Sequence, residues 1–377
     1  MPNLLIITYI PSPYQVELFN AIALSGKFKL QVAYLKASCN APIAEHWQQP
    51  DLRHDYVISD ECEQKFEQLE RDLYNSDLVV FNYYRYPRLS QLMDRCLEQN
   101  IPWCFWGERT GFQHPGLFGR LYRRWKLATL HESSAPIWGV GIWAVERYRR
   151  EFSVSRNYFN LPYFSDLSRF TTSKRDLNKG KRVFLYSGAL IERKGVDLLA
   201  SAFYQLAEFD KIELHFIGEG ELRPSLEKKL AKYQSHVKFH GFQPWEKLPH
   251  YYQQADVLCV PSRYDGWGMV VPEGLAAGLP VIGTDSTGAA IELIRDGQNG
   301  WLIDANSEES LKEAILQAIK LTPEELTNYS QAANDRAIEH SLANGVQRFE
   351  QTAAETIRLF AINASQEIQI KGLTTDN

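Results

Sequence analysis

The strongest constraint on this chain is a pattern that starts, stops and starts again. Short apolar runs alternate with longer amphipathic ones: LLIITYI (4–10), VELFNAIAL (16–24), FKLQVAYL (28–35), DLVVFNYY (77–84), a helical stretch around Leu89 to Leu97, and PWCFWG (102–107). Apolar runs of strand length between helix-period segments imply βαβ units around a parallel sheet. In VELFNAIAL, Val16, Phe19, Ala23 and Leu24 fall near one face. Near Phe164 the texture becomes polar, charged and poor in large aliphatics, in SDLSRFTTSKRDLNKGK (165–181), which reads as a linker. A second series follows: RVFLYSG (182–188), VDLLASAFYQL (196–206), IELHFIGEG (212–220), RPSLEKKLAKY (223–233), VKFHGF (237–242), DVLCVPS (256–262) and PVIGT (280–284). The restart predicts two doubly wound α/β domains with a cleft between them, 1–165 and 181–343, joined by a linker at 166–180. The final segment, 344–377, contains GVQRFEQTAAETIRLFAI, which is helical by period.

Composition excludes several classes. With 377 residues, 44% hydrophobic and 23% charged, the chain has ample apolar material for two cores. A net charge of −5 argues against a general nucleic-acid binder. Cys39, Cys62, Cys96, Cys104 and Cys259 are scattered and odd in number. No disulfide framework or zinc site is expected, and a reducing compartment fits. The opening MPNLLIITYIPSPY lacks the basic start and cleavage site of a signal peptide, so cytoplasmic residence is expected. No Asp-x-Asp, H-E-x-x-H, Walker or G-x-S-x-G sequence occurs, so neither a metal nor another cofactor is signalled.

Three segments carry candidate chemistry. VLCVPSRYDGWGMVVPEGLAAGLPVIG (257–283) reads as strand, glycine loop, short helix and strand. It frames a polar pocket with Asp265 and Glu273 at the carboxyl end of a parallel strand, where open α/β sheets bind ligands. Pro272 suits a first helical turn, Glu273 lies near the positive end of the helix dipole, and Gly266 and Gly268 allow unusual dihedrals. Carboxylates suit sugar hydroxyls because they only accept. The plainer alternative is that Glu273 complements the dipole and Asp265 makes a turn. In SGALIERKGVDLL (187–199), Arg193 and Lys194 occupy a strand-to-helix turn, well placed for a diphosphate; otherwise this is a solvated basic loop. FIGEGELR (216–223) has G-x-G after a strand, and Gly218 and Gly220 could let amides approach a phosphate.

Across 180–305 these segments, with VKFHGF and PSRYDGWGMVVPEGLAAGLPVIGTDSTGAAIELIRDGQNGWLID (261–304), resemble the retaining glycosyltransferases of family 4. SPYQVELFNAIA (12–23) is similar to that family's opening loop and helix. The resemblance implies a GT-B fold, two Rossmann-like domains across a cleft, with the C-terminal helix crossing back to the N-terminal domain. It implies metal-independent transfer of a sugar from a nucleotide-sugar donor to a glycan, lipid-linked or small-molecule acceptor, in polysaccharide or glycolipid biosynthesis.

The family's acid-x7-acid motif maps to Asp265 and Glu273. Asp265 would sit near the donor sugar, and Glu273 would accept from the ribose hydroxyls. Arg193 and Lys194 would neutralise the diphosphate, more so because Ala189 stands where many members have Arg. The loop at Gly266, Trp267, Gly268 and Met269 would face the sugar, with Gly218, Gly220 and Phe242 also on the donor side. Where many members have a histidine, this chain reads PWCFWGERTG, and Glu108 is a candidate cleft residue beside Arg109. The family usually has Glu at both ends of the acid-x7-acid motif, so Asp265 is a departure; with Ala189 it leaves open a catalytically silent sugar-nucleotide-binding subunit, and a GT-B epimerase is the rival enzyme.

In RTGFQHPGLFGRLYRRWKLATLH (109–131), Arg120, Arg123, Arg124 and Lys126 interleave with Leu117, Phe118, Leu121, Tyr122 and Trp125. Such a helix could bind an anionic membrane surface, which would make the protein peripheral on the inner face of a membrane. The plainer reading is a helix of the first domain with a solvated basic face.

Overall fold

The computed structural model describes residues 1–38, 50–59, 62–110, 116–152, 155–171, 180–206 and 209–374. Cys39 and most of the expected linker, 172–179, lie outside these. The chain divides into two compact units, Met1–Ser165 with Leu342–Asn377, and Asp166–Ser341.

In the first unit, β1 (Asn3–Thr8), β2 (Lys29–Tyr34), β3 (Asp55–Ile58), β4 (Leu78–Phe81), β5 (Trp103–Gly107), β6 (Ile137–Gly139) and β7 (Tyr158–Asn160) pair in parallel in the order β3-β2-β1-β4-β5-β6-β7. Helices cover both faces, so the central strands are buried on both sides and read as continuous apolar runs. Leu5, Ile7, Val79, Phe81 and Phe105 join one cluster under the helices Glu63–Tyr74 and Pro87–Glu98. The short strands β3, β6 and β7 left little trace in the sequence. β3 and β7 are edge strands with polar or half-buried residues, and β6 has three residues ending in glycine.

The second unit holds β8 (Arg182–Ser187), β9 (Ile212–Ile217), β10 (Val237–Phe239), β11 (Val257–Val260), β12 (Val281–Thr284) and β13 (Gly300–Ile303), all parallel, in the order β10-β9-β8-β11-β12-β13. Its first described element, Ser168–Phe170, brings Phe170 to 5.0 Å from the Tyr252 ring. Both units are therefore doubly wound α/β, as the repeated pattern predicts.

The helix Leu342–Thr374 belongs to the first unit, where it packs on the helix Pro13–Ser25. Phe349 is fully buried, with its ring 5.9 Å from that of Trp106 and 5.5 Å from that of Trp138. Trp138 Nε1 donates to Thr356 Oγ1 (3.1 Å), and Lys27 pairs with Glu350 (2.7 Å). Gly345 permits the approach: a Cβ there would lie 2.3 Å from Phe164. This packing corrects the expected face of Pro13–Ser25. Leu18 and Ile22 are buried with Val16 and Phe19, whereas Leu24 is 89% exposed. The helix is covered by both the sheet and the C-terminal helix, and its last turn reaches past them.

Candidate functional site

In the second unit the chain leaves β8 for β9 and β10 on one side, and leaves β11 for β12 and β13 on the other. The loops after β8 and β11 therefore diverge at a topological switch point, where α/β sheets bind ligands. These two loops, 188–195 and 261–269, are the cationic and acidic segments singled out in the sequence.

The structure brings them into contact. Lys194 Nζ lies 2.5 Å from Asp265 Oδ2. Arg193 donates from Nη1 to the Tyr264 carbonyl (2.9 Å), and its own carbonyl accepts from Arg263 N (2.9 Å). Arg263 reaches back with a fork to Asp197, at 2.6 and 2.7 Å, in the first turn of the helix Val196–Tyr204. Between them Gly195 takes φ +66°, and a Cβ on it would stand 1.8 Å from the Pro261 carbonyl oxygen. Only glycine allows that backbone approach.

The electrostatics follow from partial burial. The Lys194 and Asp265 side chains are 20% and 14% exposed, so their attraction is less screened than on an open surface. Burial opposes ionisation of Asp197, but the hydrogen bonds and charge of Arg263 outweigh it and hold the carboxyl below its usual range. Tyr186, which donates to the Ala189 carbonyl (2.6 Å), is pushed up by burial first and by the Asp265 carboxylate second, and stays neutral. Burial likewise pushes up the Cys259 thiol on β11.

Glu273 lies in the first turn of the helix Val270–Ala276, 1% exposed, and accepts from Tyr252 OH at 3.0 Å. Tyr252 was not anticipated, since nothing local marks a tyrosine 21 residues upstream as its donor. Trp267 is buried with its ring 5.5 Å from that of His340, and its carbonyl accepts from Ala289 N at 2.7 Å. Gly268 takes φ +91°, and a Cβ there would lie 2.8 Å from Thr287 Cγ2 and 3.3 Å from Asp265 Oδ2. The Gly266 carbonyl leaves no room for a side chain on Gly288. The half-buried Met269 immediately precedes the helix and accepts from Glu273 N (3.2 Å).

In the G-x-G segment, expected to let amides approach a phosphate, the Gly218 amide itself donates to the Gly241 carbonyl (2.8 Å). A Cβ on Gly218 would lie 1.9 Å from the Gly188 carbonyl, and one on Gly220 would lie 2.4 Å from that of Leu190. The G-x-G therefore seats the β9 loop against the β8 loop. Phe242, half-buried, follows Gly241 at the carboxyl end of β10.

Glu108 belongs to the first unit, exposed at the carboxyl end of β5, and its charge reaches Tyr163. Arg109 stacks 4.0 Å over Trp143. A polar group missed in the sequence sits nearby. Gln15 Nε2 donates to Asn82 Oδ1 (2.5 Å), Thr8 Oγ1 donates to the same atom (3.1 Å), and Asn82 Nδ2 donates to the Trp106 carbonyl (2.9 Å). Thr8 ends β1 and Asn82 follows β4, so this group marks the first unit's own switch point.

Residues 169–336 match the family Glycosyl transferases group 1. The chain carries a glycosyl transferases group 1 domain. The two contacting loops both lie in that group 1 domain. An uncharacterized glycosyltransferase of Methanocaldococcus jannaschii is 35% identical over 144 residues, 38% of this chain and 40% of that protein. The lipopolysaccharide core biosynthesis glycosyltransferase LpsE of Rhizobium meliloti is 29% identical over 174 residues, 46% of this chain and 48% of that protein. The chain thus spans less than half the length of these two curated relatives. Among solved structures, Anabaena Alr3699/HepE in complex with UDP superposes over 94% of this chain and all of that one, with a TM-score of 0.75 at 15% identity. WaaG, a glycosyltransferase involved in lipopolysaccharide biosynthesis, covers 93% of this chain and 99% of its own, with a TM-score of 0.66 at 17% identity. The two parallel-sheet units with the group 1 domain have the GT-B fold.

Proposed function

We propose that the chain is a retaining, metal-independent glycosyltransferase that moves a hexose from a nucleotide sugar to a glycan or lipid-linked acceptor on the cytoplasmic side of a membrane. The contact between Lys194 and Asp265 at the switch point of the second unit carries this reading. It sets a cation for the departing diphosphate beside a carboxylate that accepts from sugar hydroxyls.

In the reaction the bond between the sugar C1 and the diphosphate oxygen breaks. The acceptor oxygen bonds to C1 on the face just vacated, and the acceptor's proton leaves with the diphosphate. Negative charge grows on the diphosphate, so fixed cations there lower the barrier. Arg193 and Lys194 supply that charge, and the donor competes with Asp265 for Lys194. Glu273, oriented by Tyr252, accepts from the ribose. The lipopolysaccharide roles of LpsE and WaaG support a polysaccharide or glycolipid product.

The test is a thermal-shift and donor-consumption panel of nucleotide sugars, beginning with UDP-glucose because the Anabaena neighbour holds UDP. One donor should raise Tm and be consumed with an acceptor. Glu273→Gln should weaken its binding about ten- to a hundredfold, and Lys194→Met should cut kcat/KM about a hundredfold while Tm holds. Binding without turnover under any acceptor would instead make the chain a silent sugar-nucleotide-binding subunit. No shift with any donor would overturn the site.

A further inference from the structure

The helix Gly116–Lys126 of the first unit is amphipathic the wrong way round for an ordinary surface helix. Its buried positions are Gly119 and Arg123, whereas its large apolar side chains face solvent. Leu117 is 69% exposed, Phe118 87%, Leu121 56%, Tyr122 44% and Trp125 68%. At about 100° per residue these five fill one continuous arc of roughly 140°. The outward face thus carries an apolar and aromatic arc beside the solvated Arg120 and Arg124.

The reason lies in the inward pair. Arg123 donates from Nε to Glu151 (2.8 Å), and Glu151 also takes Arg147 (3.1 Å) and the Thr110 hydroxyl (3.2 Å). The helix is therefore held by a buried ion pair, with Gly119 the other position turned inward. Among the described residues, its apolar arc is exposed.

The remaining cations border that arc. Arg120 and Arg124 are exposed on one flank. Lys126, on the other, lies over the Trp125 ring at 4.6 Å. Arg85, also exposed, lies near Tyr122. In a chain of net charge −5 this is a local reversal of sign. Aromatic and aliphatic side chains bordered by Arg and Lys match a surface with an apolar interior and an anionic rim. A second copy of the chain fits poorly, because a two-fold contact through the arc would set Arg120 and Arg124 against their own copies. Among the described residues no helix is long and apolar enough to cross a membrane, so attachment through this arc would be peripheral.

We propose that Gly116–Lys126 is a docking face for an anionic bilayer, its apolar arc entering the headgroup boundary and its cations meeting the lipid charges. This stands apart from the donor site and needs no turnover to be read.

The test is co-sedimentation of the full chain with phosphatidylcholine vesicles, with and without about a third phosphatidylglycerol, at low and high salt. Pelleting should require the anionic lipid and weaken with salt. Arg120→Glu with Arg124→Glu should weaken it at least tenfold. Phe118→Ser with Trp125→Ser should abolish it at either salt. All these side chains are exposed, so the variants should keep the wild-type Tm and circular dichroism. No pelleting, equal pelleting with both lipids, or pelleting indifferent to both double variants overturns the proposal. So does a wild-type dimer that Phe118→Ser with Trp125→Ser converts to a monomer, which would assign the arc to a second copy.

Discussion

Gly195 is the residue on which the two loops turn. Its φ of +66° and the Pro261 oxygen, 1.8 Å from any Cβ, leave no L side chain a place. Gly195→Ala should destabilise the second unit by about 2–4 kcal/mol, because backbone, not a flexible side chain, must yield. Urea unfolding followed by fluorescence measures it, and an unchanged midpoint would mean that the loops do not meet as described. The residue was legible as part of a basic turn, but its conformational demand was not, since Pro261 is distant in sequence. Lys194 and Asp265 were each legible as candidates; their pairing was not.

At the scale of elements, the C-terminal helix contributes apolar side chains that the first unit's own segments lack. Phe349 fills the space between Trp106 and Trp138. Phe349→Ala should cost the first unit about 3–5 kcal/mol, since a fully buried aromatic leaves a cavity that two indoles cannot close. A loss below about 1 kcal/mol in a denaturant titration would argue that the helix rests on the unit without completing its core. The period of this helix was plain in the sequence, whereas the face it covers had to come from its neighbours. The helices Pro13–Ser25 and Gly116–Lys126 teach the same lesson in opposite directions. One buries more than its periodicity marks, and the other leaves its apolar side in water.

For the whole molecule, both units respond to acid through histidines that burial lowers, His54 and His131 in the first and His215 and His240 in the second. Burial lowers His54 in the first unit from 6.5 to about 4, against a small opposing pull from Asp55. It is held neutral between Tyr34 OH (2.9 Å) and Asn20 (2.7 Å). Its folded pKa lies below its unfolded one, so its contribution is complete above pH 6.5 and is lost as pH falls toward 4. Asp197 in the second unit is also depressed, by Arg263, but from 3.8, so its contribution survives to that pH and disappears only below it. Urea midpoints taken from pH 8 to 3 should show the first unit weakening as His54 takes up its proton. His54→Asn should flatten the upper leg and leave the lower one; a first-unit midpoint constant from pH 7 to 4 would contradict the assignment.

Periodicity and spacing by themselves determined two doubly wound units, most strand and helix positions, and the cationic and acidic segments that flank the second unit's switch point. These depend on near neighbours in the chain, where a strand repeats every two residues and a helix every 3.6. Tertiary contact alone decided that Lys194 meets Asp265, that Gly218 serves backbone packing rather than an open amide, and that Tyr252 orients Glu273. It also decided which side of Gly116–Lys126 faces out. Each of those outcomes depends on what the fold brings from far along the chain to cover or charge a surface, and such a neighbour leaves no mark in the local pattern.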